Sequence, residues 1–292
     1  MTDSHVHLHP HGPYSGSGPQ LGEYPPAHLE AYVEHAASVG VAEVAFTEHL
    51  YRCVESAEAL GEFWETAPTP ELRDQCRDFV AEDRTLSLDH YVDAVLAAKD
   101  RGLPVTLGLE VDFFPETIEA VLRLLEPYPW DVLIGSVHWI GGWSVDHDDA
   151  TFEFDRRGVD QSYRDYFALE AELAGSGAVD VLAHCDVVKK FGHRPTSDPV
   201  ELYERVVKEA VASGTAVEVS SAGLYKPVGE IYPAPDFLGM FAAAGVPITL
   251  ASDAHFPHEA GRDFGQLRQV ARDAGYTHHV RFEARRAHSL AL

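Results

Sequence analysis

The stretch Asp3-Ser4-His5-Val6-His7 lies in the first predicted β-strand, which covers about residues 2–7. Two histidines two residues apart on a strand point to the same side, so both imidazoles can reach one cation. Similar residue types recur after almost every later predicted strand, namely Glu48-His49, Glu110, His138, His184, Asp253 and His255. This recurrence predicts a barrel-like scaffold that holds a cluster of metal ions.

Short apolar runs alternate with amphipathic helical patterns along the chain. The later strands are predicted over about residues 41–47, 105–111, 132–137, 179–183, 216–220 and 247–251. Because a helical segment follows each of the seven strands, we expect an α/β protein with a parallel (β/α) barrel, formed by residues 1–292 as one domain. Ligands in such barrels come from the carboxyl ends of the strands, where the histidines and acids named above lie.

Three details of the chain ends and helix starts can be predicted as well. The segment Asp198-Pro199-Val200-Glu201 is typical of a helix start, with a cap, a first-turn proline and an early acid. A last helix is expected from about Glu259 to Ala274. The tail residues 280–282 are expected to add an edge strand.

The composition is that of a globular protein, with 45% apolar and 10% aromatic residues in 292. No apolar run reaches 18 residues, so no membrane helix is expected. The first residues lack the basic and apolar regions of a signal peptide, so we expect a cytoplasmic protein. The three cysteines are widely spaced and are expected to be reduced thiols.

The formal net charge of −25 excludes several classes of partner. Such a surface repels the phosphate backbone, so nucleic acid is not expected as a partner, and neither is a membrane. A small phosphate ester would also be repelled unless the site is locally positive. Bound divalent cations supply that local charge. The sequence does not indicate the oligomeric state.

Imidazole and carboxylate ligands suit zinc, iron or manganese more than calcium or magnesium. Any single histidine in the set has an ordinary alternative, a hydrogen-bonded residue at the end of a strand. The full set at equivalent strand ends favours a metal centre. Other histidines, such as His28, His35 and His90, lie on predicted helix faces and are not assigned to it.

The chain resembles the PHP (polymerase and histidinol phosphatase) superfamily of metal-dependent phosphoesterases. The resemblance covers nearly the whole chain and rests on His5-Val6-His7, Thr47-Glu48-His49, Gly108-Leu109-Glu110, Ser136-Val137-His138, Ala183-His184-Cys185-Asp186 and Ser252-Asp253-Ala254-His255. Within the superfamily the chain is similar to the stand-alone histidinol-phosphate phosphatases. That similarity rests on residues 135–139, 222–227 and 229–233.

The resemblance implies a distorted (β/α)7 barrel with two or three divalent ions (zinc, iron or manganese) at the carboxyl ends of its strands. By the superfamily pattern, the first ion is held by His5, His7, Glu110 and Asp253, and the second by Glu110, His138 and His184. The third is held by His49, His255 and a histidine after the first motif. His11 is the preferred candidate because His11-Gly12 resembles the His-Gly ending of the family, and His9 is the alternative.

The resemblance also implies an enzyme, a phosphomonoesterase that hydrolyses L-histidinol phosphate to L-histidinol and phosphate in histidine biosynthesis. A hydroxide bridging two ions would attack phosphorus in line, and the ions would neutralise the phosphoryl oxygens. Asp253 is the candidate catalytic residue, passing a proton to the leaving alkoxide. Two positions depart from the family pattern, since Glu48 replaces a more usual Asp and Tyr225 stands where many relatives carry an Arg.

Basic residues are scarce, so those near predicted strand ends are candidates for phosphate binding. We expect Lys226 and one of Lys189 and Lys190 to contact the phosphate, with Arg52 as a weaker candidate. Solvated surface lysines are the alternative interpretation. Residues 51–87 and 139–160 emerge on the same face and are long enough to act as a partial lid.

Two other functions remain open at this stage. One is a phosphoesterase of the same fold that acts on another small ester, such as a nucleotide or a sugar phosphate. The other is a catalytically silent metal-binding or regulatory protein, which the apparently complete ligand set disfavours.

Overall fold

The computed structural model describes residues 1–11 and 18–292 of the chain. In chain order its strands are β1 Thr2–Val6, β2 Glu43–Phe46, β3 Val105–Asp112, β4 Val132–Ser136, β5 Trp139–Ile140, β6 Trp143–Ser144, β7 Val181–Leu182, β8 Ala216–Ser220, β9 Ile248–Ala251, β10 His278–Glu283 and β11 Arg286–Ala291. Seven of them form one parallel sheet in the order β1-β2-β3-β4-β7-β8-β9.

The two outer strands of this sheet approach each other and nearly close it into a barrel. The amide of His7 donates to the carbonyl of Ala254 at 2.7 Å, and the amide of Asp253 donates to the carbonyl of His5 at 2.9 Å. The side chain of Asp3 on β1 binds the same connection, because it accepts hydrogen bonds from the amides of Ser252 and Gly261 at 2.9 and 2.7 Å. The predicted seven-stranded barrel is confirmed, and its closure sets the ends of β1 and β9 side by side.

Helices connect the strands and cover the outside of the barrel. In chain order they are α1 Pro26–Ser38, α2 Ser56–Leu60, α3 Pro70–Asp83, α4 Leu88–Asp100, α5 Ile118–Leu125, α6 Phe152–Arg157, α7 Val159–Ser176, α8 Val200–Ser213, α9 Pro235–Ala244 and α10 Phe264–Asp273. The predicted position of the start of α8 is confirmed, but the helix begins at Val200 and Pro199 is its N-cap rather than a first-turn residue. Asp198 lies one residue further out, where its side-chain oxygen accepts the amide hydrogen of Val200 at 3.1 Å. No helix in the described ranges has the length and apolar character needed to cross a bilayer.

The tail differs from its prediction. Residues 280–282 belong to an antiparallel hairpin of β10 and β11 instead of adding an edge strand to the main sheet. A nearly closed barrel leaves little free edge to extend. The hairpin instead buries Val280 and Phe282 against residues near the amino ends of the strands, including Val132 and Val181. It therefore closes the end of the barrel opposite to the carboxyl ends of the strands.

The last helix is shorter than predicted and begins at Phe264 rather than at Glu259. Gly261 and Asp263 just before it have positive φ values of 75° and 59°, which an α-helix does not accommodate. The amide of Gly261 is bound to Asp3 on β1. The contacts that close the barrel therefore determine the conformation of residues 259–263, and the helical pattern of the sequence does not.

Candidate metal centre

The carboxyl ends of the parallel strands bring the predicted ligands into one cluster. His5 and His7 come from the end of β1, and Glu110 lies within β3, which runs two residues further to Asp112. The other candidates follow their strands directly, at His49, His138, His184, Asp253 and His255. His184 and Asp253 have positive φ values of 26° and 53°. Strained backbone of this kind concentrates at functional sites, where the surrounding fold enforces it.

The first group consists of His5, His7, Glu110 and Asp253, and each of these residues offers one donor atom. Nε2 of His5 lies 2.9 Å from Nε2 of His7, 3.5 Å from a Glu110 oxygen and 3.7 Å from an Asp253 oxygen. Nε2 of His7 lies 3.6 and 3.4 Å from the same two oxygens. Tetrahedral zinc with bonds of about 2.0–2.1 Å requires donors roughly 3.3 Å apart. The first group therefore fits one divalent ion.

The second group consists of Glu110, His138 and His184. Oε1 of Glu110 lies 3.4 Å from Nε2 of His138 and 3.0 Å from Nε2 of His184. The first group uses the other oxygen of the same carboxylate, Oε2. Glu110 is fully buried between the two groups and is placed to bridge two ions.

The third group consists of His11, His49 and His255. The ring of His11 lies 5.0 Å from that of His49 and 5.2 Å from that of His255, and the rings of His49 and His255 are 6.0 Å apart, measured between ring centroids. Donor atoms of His49 and His255 also lie within 4.8 Å of one on His7. Imidazoles bound to one tetrahedral ion have centroids roughly 5 Å apart. Nε2 of His49 and Nε2 of His255 are buried, and neither has a hydrogen-bond partner among the described residues. Buried polar atoms of this kind require a partner, and a metal ion would provide it.

His9, the alternative loop ligand, faces the other side of the loop. Its ring lies 5.0 Å from the ring of Tyr24 and 5.9 Å from that of His28. His11 shares the cluster with His49 and His255, and the geometry therefore favours it as the loop ligand.

Two carboxylates that the sequence reasoning missed orient histidines of the cluster. An oxygen of Glu218 on β8 lies 2.8 Å from Nδ1 of His5, and an oxygen of Asp112 lies 3.0 Å from Nδ1 of His138. Such partners fix the imidazole so that Nε2 faces the ion. Both carried a signal in the sequence. Glu218 is a charged residue inside an otherwise apolar strand, and Asp112 follows Glu110 at strand spacing.

Burial and mutual repulsion keep several of the imidazoles neutral. Burial lowers the pKa of His7 well below its usual value, and the neighbouring His49 and His255 lower it further. Burial likewise lowers the pKa of His49 and of His255. Neutral imidazole is the form that binds metal ions, so these three histidines are prepared as ligands.

Carboxylates have the opposite effect on His5 and His138. Burial opposes their protonation, but the charges of Glu218 and Glu110 raise the pKa of His5, and Glu110 raises that of His138. The pKa of Glu110 is itself held well below its usual range, because the surrounding histidines outweigh the effect of burial. The centre therefore attracts positive charge, and a divalent ion can replace the protons.

Glu48, which departs from the family pattern, holds the loop after β1. Its Oε1 accepts hydrogen bonds from the amides of Leu8 and His9 at 2.5 and 3.1 Å. Arg52 also binds this loop, because its guanidinium donates to the carbonyls of His9 and Pro10 at 3.1 and 3.0 Å. Arg52 lines neither cavity over the cluster, so the structure does not support its predicted contact with phosphate. The guanidinium instead fixes the loop that carries His11.

Two connected cavities open over the cluster. The inner one, of about 90 Å³, is lined by His184, Asp253, His255, Lys190, Lys226 and Tyr232 among others. The outer one, of about 340 Å³, shares His11, His49, His138, Asp146 and Lys190 with it and adds Tyr51, Phe79, Trp139, Asp148 and Asp149. The predicted lid segments 51–87 and 139–160 supply these aromatic and acidic walls.

The two adjacent lysines, Lys189 and Lys190, have different surroundings. Lys190 lines both cavities and lies 3.4 Å from a carboxylate oxygen of Asp146. Lys189 is buried, 2.7 Å from Asp186 and 3.1 Å from Glu230, and donates to the carbonyl of Ile231. We expected one lysine of this pair to face the phosphate. Lys190 is the one that lines the cavities, and Lys189 lines neither of them.

Tyr225 is the second departure from the family pattern. Its side chain lies on the surface beside the site, where it contacts Asp263 and Arg262. Its hydroxyl donates to Asp263 at 2.5 Å, and the guanidinium of Arg262 lies 4.2 Å from the centre of its ring. Its exposed side chain makes contacts on this surface rather than replacing a phosphate-binding arginine.

Comparison with known proteins agrees with this architecture. A family model described as the PHP domain matches residues 7–222. A protein from Deinococcus radiodurans named "Probable histidinol-phosphatase" is 36% identical over 94% of both chains. One of the same name from Schizosaccharomyces pombe is 24% identical over 85% of this chain and 82% of its own.

Among solved structures, a histidinol phosphate phosphatase from Lactococcus lactis, in complex with zinc, L-histidinol and phosphate, has the same fold. It superposes with a TM-score of 0.71 at 20% identity, over 98% of both chains. The predicted superfamily is confirmed by the length of the family match and by the identity to the Deinococcus relative. The chain belongs to the PHP domain family.

Proposed function

We propose that this chain is a metal-dependent histidinol-phosphatase, which hydrolyses L-histidinol phosphate to L-histidinol and phosphate. The observation that carries the proposal is the shared carboxylate of Glu110, which joins two groups of metal donors directly beneath a cavity lined by Lys190 and Lys226. A pair of metal sites next to cationic side chains suits a phosphate ester. The relatives named above give the substrate.

The donor groups support two or three ions, with zinc, iron or manganese as the preferred identities. When bound, divalent ions in such a site activate a water molecule and neutralise charge on the phosphoryl oxygens. The residues of the chain supply the rest. Lys190 and Lys226 bind phosphoryl oxygens, and Asp253 accepts a proton from the attacking water. The P–O bond to histidinol then breaks, and Asp253 returns the proton to the leaving oxygen.

The sizes and lining residues of the two cavities suit the two parts of this substrate. The small inner cavity lies against His184, Asp253 and Lys190, where a phosphoryl group would sit. The outer cavity has the size of a small-molecule site and offers aromatic faces at Phe79 and Trp139. Its acidic side chains suit the ammonium group of histidinol. The histidinol part is therefore assigned to the outer cavity.

The proposal is tested by stripping the protein of metal and measuring phosphate release from L-histidinol phosphate before and after adding zinc, manganese or iron. Activity that disappears with the metal and returns with it supports the proposal. Glu110→Gln, purified in the same way, is the control for a contaminating phosphatase. Activity that persists in the stripped protein, or in equal amount in Glu110→Gln, would contradict it.

A second candidate is a phosphoesterase of the same family that acts on another small ester. The outer cavity favours this second candidate, because the aromatic side chains that line the cavity would also stack on a nucleobase. The net charge of −25 disfavours a polynucleotide, but not a mononucleotide whose phosphate lies on the metal ions. Comparison of substrates separates the two candidates.

A further inference from the structure

We propose that Asp83 is the positioning residue for His11 and thereby controls binding of the ion in the third group. Oδ2 of Asp83 lies 3.1 Å from Nδ1 of His11 and accepts a hydrogen bond from the hydroxyl of Tyr51 at 2.8 Å. Asp83 is the last residue of α3, in the long connection between β2 and β3. The inference rests on the proposal that the centre binds divalent ions, and it does not depend on the substrate.

The contact determines which nitrogen of His11 is available to a metal ion. A carboxylate accepts the hydrogen on Nδ1, so the lone pair of the ring is left on Nε2. The ring of His11 already lies about one ligand spacing from those of His49 and His255, at 5.0 and 5.2 Å. Asp83 therefore selects both the tautomer and the orientation that the third group requires.

The same arrangement occurs once in each of the other two groups. Glu218 lies 2.8 Å from Nδ1 of His5 in the first group, and Asp112 lies 3.0 Å from Nδ1 of His138 in the second. Each of the three groups thus contains at least one histidine whose Nδ1 lies beside a carboxylate, and in the third group Nδ1 of His49 also lies 2.6 Å from an oxygen of Glu110. This repetition on three different connections supports the interpretation that the Asp83 contact orients a ligand.

His11 needs such support more than the other candidate ligands do. Its side chain is 45% exposed and stands on a loop, whereas those of His5, His7 and His49 are buried at strand ends. Asp83 and Arg52 together fix this loop, because Nε of Arg52 lies 3.2 Å from Oδ2 of Asp83 while its other nitrogens bind the carbonyls of His9 and Pro10. An aspartate at the carboxyl end of a helix is disfavoured by the helix dipole, so these partners are needed to hold it there.

The test counts zinc bound per chain and measures the affinity for each ion by competition with a chromophoric chelator. We expect three ions in the native protein. Asp83→Asn should weaken one of them by about 10–100-fold, the usual effect of removing an orienting partner. His11→Ala should weaken the same ion, and the double variant should behave like His11→Ala alone. Asp78→Asn, an exposed position on the same helix, is the matched control and should bind like the native protein.

Three results would overturn the inference. One is unchanged affinity for all ions in Asp83→Asn while His11→Ala loses one. Another is the same number of ions in the native protein and in His11→Ala. A third is weakening of all ions alike. Absence of any bound ion in the native protein would instead defeat the proposed function itself, so the two failures can be told apart.

The native protein gives an independent measurement in case Asp83→Asn does not fold. The imidazole nitrogen spectrum of the zinc-loaded chain should show His11 with hydrogen on Nδ1 and metal on Nε2. Signals that show metal on Nδ1, or no metal on His11, would contradict the role of Asp83.

Discussion

Glu218 on β8 and His5 on β1 face each other across the interior of the barrel, with a carboxylate oxygen of Glu218 2.8 Å from Nδ1 of His5. The other oxygen of Glu218 accepts the amide hydrogen of His184 at 3.2 Å. One buried side chain thus supports a histidine of the first group and the backbone of a histidine of the second. Glu218 thus links β1, β7 and β8, three strands that are distant in sequence.

Glu218→Gln should weaken metal binding without preventing folding, because the substitution keeps the shape but removes the charge that stabilises the His5 contact. We expect about 10–100-fold lower zinc affinity, measured by chelator competition. Glu209→Gln on the outer helix α8 is the control and should bind like the native protein. Equal affinities for Glu218→Gln and the control would exclude an orienting role for Glu218.

Lys190→Ala and Lys226→Ala should raise the KM for the phosphate ester. Loss of one charge-assisted hydrogen bond of about 1.5–3 kcal/mol corresponds to roughly a 10–100-fold fall in kcat/KM. Lys189→Ala should instead lower the free energy of unfolding, by about 3–5 kcal/mol, since it leaves the buried carboxylate of Asp186 without its partner. Steady-state kinetics and urea unfolding of the three variants test this division. An unchanged KM in Lys190→Ala would refute its assignment.

Asp253→Asn should lower kcat even when metal is saturating, because the amide cannot take up the proton. A proton-transfer group contributes about 10²–10⁴-fold, so a decrease of that order is expected. Asparagine tolerates the positive φ of 53° at this position, and the backbone should be preserved. Asp263→Asn, at another aspartate of positive φ, is the control. Full metal content together with full turnover in Asp253→Asn would remove Asp253 from the mechanism.

Glu170→Gln should make the protein more stable at neutral pH. Glu170 is fully buried on α7, and burial raises its pKa well above the usual 4.5. An acid with a raised pKa in the folded state contributes stability below about pH 4.5, and that stability is lost as the pH rises towards the folded-state pKa. Glutamine stays neutral, so the stabilising difference should grow between pH 4.5 and pH 8. Thermal unfolding across this range, with Glu172→Gln as the exposed control, measures it, and parallel curves for variant and native protein would contradict it.

The sequence was sufficient to predict the barrel and the clustered residues, since both depend on patterns that repeat along the chain. Each strand is a short apolar run, and the candidate ligands stand where the runs end. Glu110 and His138 could therefore be located without knowledge of any contact.

The errors come from contacts between distant segments. Lys189 and Lys190 are adjacent in sequence, and only the short turn at residues 187–189 determines that one is buried beside Asp186 while the other lines the cavity. Arg52 is bound by the loop of His9 and Pro10, and the hairpin of β10 and β11 lies where barrel closure leaves an apolar end to cover. Asp83 reaches His11 across 72 positions, and no local pattern predicts such a pairing.

The most direct test of the proposed activity is the specificity constant of the metal-reconstituted protein for L-histidinol phosphate, measured beside a panel of nucleoside monophosphates and sugar phosphates. We predict a preference of about three orders of magnitude or more, roughly 4 kcal/mol of transition-state discrimination. Slow or equal activity across the panel would leave the fold and the metal centre in place but would contradict the assignment of histidinol phosphate as the substrate.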